Sequence, residues 1–87
     1  MKKAELREWA IEQARAENIS YLLRGGDMRF TLWGVDGDEH ANRRLDRRER
    51  DVVGQLIHEK VLYRQPAVGA SMQGMVHVDE TKLEAAG

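Results

Sequence analysis

Ile19-Ser20-Tyr21-Leu22-Leu23-Arg24-Gly25-Gly26-Asp27-Met28-Arg29-Phe30-Thr31-Leu32-Trp33-Gly34-Val35 is the stretch on which the fold turns. Apolar residues alternate at Ile19, Tyr21 and Leu23 and again at Met28, Phe30 and Leu32, while Arg29 and Thr31 point the other way. A period of two on both sides of a glycine-rich link, Gly25-Gly26-Asp27, predicts a strand hairpin. The competing reading runs the preceding helix through Leu23 and caps it at Gly25, leaving one strand. Asn18 and the β-branched Ile19 interrupt the helix-forming run, and this favours the hairpin. Trp33 then falls on the face opposite Met28, Phe30 and Leu32, together with Arg29, Thr31 and Leu22. It must be exposed, or covered by a helix of the chain or by a partner.

Upstream, Lys2 to about Glu17 is composed of strong helix formers without glycine or proline, and Leu6, Trp9, Ala10 and Ala14 fall on one stripe with Trp9 as its expected core anchor. Downstream, Asp36-Gly37-Asp38-Glu39 reads as a turn, with a short helical segment from Glu39 to Arg44. Asp46 with Glu49 three residues on predicts a capping box, and Val52, Val53, Leu56, Ile57 and the stem of Lys60 give the buried stripe of a second helix. Its opposite side carries Arg47, Asp51, Gly54, Gln55 and His58 by the 100° step. The helix yields near Lys60 to a strand from Val61 to Gln65 that Pro66 closes. Residues 67–73 read as a small-residue loop, and Gly74 to Val78 as a return strand.

The fold class is therefore α+β in helix-hairpin-helix-hairpin order (αββαββ), two helices packed on antiparallel strands, with a winged-helix-like arrangement as the alternative. Residues 1–80 form one compact domain, because 87 residues leave no room for two cores. Residues 81–87 are small and polar, a tail expected to fray.

Composition restricts function more than it reveals it. There is no cysteine, so neither a disulfide framework nor a thiolate metal site is available, and a reducing cytoplasm is the default. Charged residues ahead of any apolar run argue against a secretory leader, and no segment approaches the roughly 20 apolar residues of a membrane span. A net charge of −1 is unlike a domain that coats nucleic acid, so any such binding has to be local. Arginine outnumbers lysine ten to four, a bias that suits carboxylate or phosphate contacts and that a GC-rich coding genome also produces.

Local surplus exists in one place: Arg43, Arg44, Arg47, Arg48 and Arg50 fall within eight residues, diluted by Asp46, Glu49 and Asp51. In a winged-helix pose Arg47, Arg48 and Gln55 reach base edges while Arg43, Arg44 and Arg64 meet phosphates. Asp51 and Glu59 beside that side, and a loop without cations, speak against it. Asp36, Asp38 and His40 sit in one turn but lack the remaining ligands of a calcium loop, and His58 and His77 are too scattered for zinc, so no metal is expected. No nucleophile elbow or phosphate loop is present, and Ser20 and Ser71 have no base nearby in sequence, so neither catalysis nor a cofactor is expected.

What remains is binding. Trp33 on an outward strand face and Gly54 on an outward helix face, where glycine costs roughly 1 kcal/mol against alanine, mark an interface, with Arg47, Gln55 and His58 around Gly54. The sequence thus points to a small non-enzymatic binding or regulatory module of phage or mobile-element type, contacting a protein partner or itself as a homodimer. The alternative is a winged-helix-like DNA-binding regulator using the arginine-rich start of the second helix. No small-molecule substrate and no membrane is implied.

Overall fold

A computed structural model describes residues 2–34 and 42–86. These residues form an α+β fold with three helices and one antiparallel five-stranded sheet. In chain order the elements are α1 (Lys3–Arg15), β1 (Ile19–Arg24), β2 (Asp27–Leu32), β3 (Arg43–Arg44), α2 (Arg47–His58), β4 (Leu62–Ala67), β5 (Ala70–Val78) and α3 (Glu80–Ala86).

The deciding stretch is a hairpin, with β1 and β2 in register from Ile19 opposite Leu32 to Arg24 opposite Asp27. Its link is two residues, not three. Gly25 and Gly26 both have positive φ, 59° and 81°, as a type I′ turn requires, and Asp27 is thereby free to start β2. Trp33 continues the pairing beyond β2 by donating its N–H to the Asn18 carbonyl at 2.7 Å.

Each long helix is closed by a left-handed residue that launches a strand. At the end of α1, Glu17 (φ 61°) donates to the Ala14 carbonyl and Asn18 to the Gln13 carbonyl; at the end of α2, Lys60 (φ 70°) donates to Ile57 and Val61 to Leu56. These paired bonds satisfy the last carbonyls in the Schellman manner, with Glu and Lys in the position that glycine favours.

The strand order is β3-β2-β1-β5-β4. β5 pairs with β1 through Ser20 opposite Met75 and Leu22 opposite Gln73, and with β4 from Leu62 opposite Val78 to Ala67 opposite Ala70. β5 is thus held on both edges, and the second hairpin is part of the main sheet. The loop expected over residues 67–73 is also mostly strand. Pro66 is accommodated because β4 is an outer strand, where a missing N–H is tolerated. The register shifts between Pro66 and Ala67, and a Cβ on Gly74 would come 2.8 Å from the Pro66 Cα and closer still to the Gln65 carbonyl oxygen. Glycine is what lets β5 pass this irregularity.

Both long helices lie on one face. Ile19, Tyr21, Phe30, Leu32, Leu62 and Val76 from the sheet form the buried core with Ala10, Ile11 and Ala14 of α1 and Val53 and Leu56 of α2. The stripe of α1 is rotated from the expected one: Ile11 is buried and Trp9 is half-buried against the cluster. The stem of Lys60 is exposed, because the left-handed turn carries it off the α2 stripe.

Two further corrections concern ends. Arg43 and Arg44, expected at the end of a helical segment, form β3 opposite Leu32 and Thr31, whereas the Asp36 to Glu39 turn lies outside the described residues. The C-terminal segment read as a fraying tail contains α3: the Asp79 carboxylate accepts from the Lys82 N–H at 3.1 Å, and Leu83 packs on the core. No helix among the described residues is long and apolar enough to cross a membrane.

Candidate binding surfaces

The arginine cluster does not act as a block. Arg43 lies opposite Leu32, on the helix side of the sheet, and donates to both oxygens of Glu49 at 2.6 and 2.7 Å. Glu49 Oε1 also accepts from the Asp46 N–H at 2.9 Å, and the Asp46 carboxylate accepts from the Glu49 N–H at 2.8 Å, completing the capping box. The Arg43 guanidinium holds the Glu49 carboxyl below the usual carboxylate range against the opposing effect of burial. Arg43 is therefore engaged within the fold, with its side chain still 43% exposed. Arg44, one residue on, lies opposite Thr31 and faces the other side. Arg44, Arg47 and Arg50 are exposed and form no ion pair with a described carboxylate. Arg48 is exposed and engaged by other groups. Arg64 stands apart on β4, its guanidinium 5.5 Å from the centre of the Tyr21 ring.

The expected patch around Gly54 is divided too. Gln55 turns toward α1, donating to Glu59 at 3.2 Å, and Glu59 in turn accepts two bonds from Arg7 at 3.1 and 3.3 Å. That seam ties α1 to α2 and is internal business of the fold. Arg47 and His58 are exposed on the outer side of α2.

Gly54 belongs to the other flank of α2. There, at the end of the sheet where both hairpins turn, a groove of about 430 Å³ lies between α2 and the strands, lined by Asp27, Met28, Phe30, Arg50, Gly54, Ile57 and Arg64. A second hollow continues from Ile57 and Arg64 to Leu23, Lys60, Tyr63 and Pro66. Its floor is apolar and its rims carry Arg50, Lys60 and Arg64, with Asp27 as the acid among the lining residues. A Cβ on Gly54 would meet nothing within 4 Å.

Among the described residues, no helix lies on the far face of the sheet. Trp33 is 45% exposed and Leu22 37%, as the hairpin period predicts. The Trp33 indole N–H donates to Ser20 Oγ at 2.6 Å, and beside it a hollow of about 370 Å³ is lined by Leu22, Thr31, Gln73 and Met75 among others. On the same face Tyr63 packs against His77, ring centres 5.7 Å apart, and the His77 ring stands 3.8 Å from Glu17.

Arg29 was not singled out from sequence as a binding residue, and Arg50 only as a member of the arginine cluster, yet they line a cleft of about 100 Å³ at the β2 edge together with Arg44. The hairpin register held the signal: Arg29 shares the Trp33 face, and Arg50 is the last of the five clustered arginines. Asp36, Asp38 and His40 lie outside the described residues, and among the described ones no three potential ligands come together for a metal. Scans against family models, curated proteins and solved structures each found no match.

Proposed function

We propose that this chain is a non-enzymatic binding module that acts by protein contact, taking an acidic amphipathic helix of a partner protein into the groove beside α2. Gly54 carries the reading. A glycine inside an exposed helix costs about 1 kcal/mol against alanine, and the open space around it means that nothing within the described chain requires it. It keeps one wall of the groove low enough for another backbone to approach. Half-buried Leu23, Met28 and Ile57 offer apolar surface to cover, and Arg50, Lys60 and Arg64 offer partners for acids along the rim. A small regulator or inhibitor of phage or mobile-element type, working in the cytoplasm, is the context such a module suits.

The test is a photo-crosslinking residue at Lys60 in the cells of origin. The expected adduct joins the chain to a different protein, and it disappears with Gly54→Arg and with Arg50→Glu combined with Arg64→Glu, variants that stay folded by circular dichroism. An adduct with a second copy would replace the heterologous partner by a homodimer. Labelling no stronger than from the same probe at Glu8 on α1 would end the docking reading. The rival, a regulator reading duplex DNA with the start of α2, has weaker support. Arg44 and Arg47 are open to phosphate, but Arg43, Gln55 and Arg64 make contacts within the chain, and the tip of the β4–β5 hairpin carries no cation.

A further inference from the structure

We propose that the open face of the sheet, with the β2 edge beside it, binds single-stranded nucleic acid: a base seats in the hollow next to Trp33 while Arg29, Arg44 and Arg50 hold the backbone phosphates. The base hollow is on the opposite side of the sheet from the α2 groove and shares no lining residue with it, whereas the phosphate cleft at the β2 edge shares Asp27, Met28, Phe30 and Arg50 with that groove.

The hollow has the chemistry of a base site. The single polar hydrogen of the indole is already given to Ser20 Oγ at 2.6 Å, so what Trp33 presents to a ligand is aromatic surface. Leu22 and Met75 supply apolar area, and Thr31 and Gln73 supply a hydroxyl and an amide. A flat ring with hydrogen-bonding edges uses all of these at once; an aliphatic side chain would leave the polar groups unmatched.

Register places the cations where the backbone of such a nucleotide would run. Leu22 lies opposite Arg29, and Thr31 lies opposite Arg44. Each arginine thus starts one strand away from a residue of the hollow, about 5 Å. Arg29, Arg44 and Arg50 then converge on the cleft of about 100 Å³ at the β2 edge, a space suited to one tetrahedral oxyanion. A backbone donor joins them. The Phe30 carbonyl points outward to accept from the Leu45 N–H at 3.1 Å, and two residues back along the strand Met28 directs its own N–H to the same edge, beyond the reach of the two-residue β3. Among the described residues lining the cleft the acid is Asp27, and its contact with Arg29 is 3.9 Å, a weak tether on an exposed pair.

Single strands are the class indicated, because a base stacked inside a duplex cannot enter a hollow on a sheet surface. The probe is a labelled oligothymidylate of about 10 nucleotides, titrated against the full chain by fluorescence anisotropy. Expected are a fall of log affinity with log salt at a slope of about −2, as for three phosphates on a single strand, and quenching of Trp33 emission in a Trp9→Phe background. Trp33→Ala should lose about tenfold or more in affinity with the slope unchanged, Trp33→Phe should recover most of it, and Arg44→Gln should lower the slope by about 0.7. Equal affinity for a duplex of the same length would overturn the proposal. So would unchanged affinity in Trp33→Ala, or capture of an acidic phosphoserine peptide by a chain that ignores the oligonucleotide.

Discussion

Glu49 is a buried carboxylate, 8% exposed, and it remains charged because Arg43 grips both of its oxygens while the Asp46 N–H reaches one of them. A carboxyl held below its ordinary range adds stability above its unfolded-state value near 4.5, and that contribution is lost as pH falls through the lower folded-state value. Denaturant unfolding followed from about pH 6 to about pH 3 should therefore show Glu49→Gln less stable than wild type by about 1–3 kcal/mol at the upper end, with a flatter decline toward the lower. Parallel curves would remove Glu49 from the acid response. Glu59 and Glu80 are also lowered, by Arg7 and Arg15, but these pairs are exposed and solvent screens them. The capping box was legible in the spacing of Asp46 and Glu49. Arg43 as the third member was not, because its placement depends on a two-residue strand that no local pattern announces.

At the level of elements, α2 was the most legible, since twelve residues of amphipathic period overdetermine which side is buried. The first hairpin was legible for the same reason, with two glycines to mark its turn. What escaped was short or dependent on distant neighbours. β5 begins at Ala70 because β4 holds it across an outer-strand proline, and α3 exists because Asp79 caps it and Leu83 finds the core. Composition alone reads both as loop. The interior position of Gly54 in α2 yields a test at this scale: Gly54→Ala should raise stability by about 1 kcal/mol, seen as a higher melting temperature, since the added methyl meets nothing. The same substitution should weaken the Lys60 crosslink if a partner backbone approaches there. A variant that is no more stable would show that Gly54 has a role inside the chain.

For the molecule as a whole, strand order was beyond the sequence. Nothing in residues 19–24 or 70–78 states that β1 and β5 are neighbours, and consequently the two surfaces could not be assigned to opposite sides of one sheet. Trp33 and Gly54 were each visible as exposed oddities, but not as belonging to separate sites. Trp33 and Gly54 line hollows with no residue in common, although the phosphate cleft shares Arg50 with the groove: Trp33→Ala should leave the Lys60 adduct intact, as residues without shared contacts behave independently. Loss of that adduct in Trp33→Ala would mean one continuous surface.

The seam between β1 and β5 also governs how the chain can be made. Ser20 and Leu22 find their partners at Met75 and Gln73, more than 50 residues later, so during synthesis the first hairpin leaves the ribosome with that edge bare until nearly all of the domain has emerged. Closing so distant a contact is slow, and an open strand edge is a template for pairing with other nascent copies. Chains arrested before residue 73 are thus expected to be the aggregating species, whatever the finished protein does.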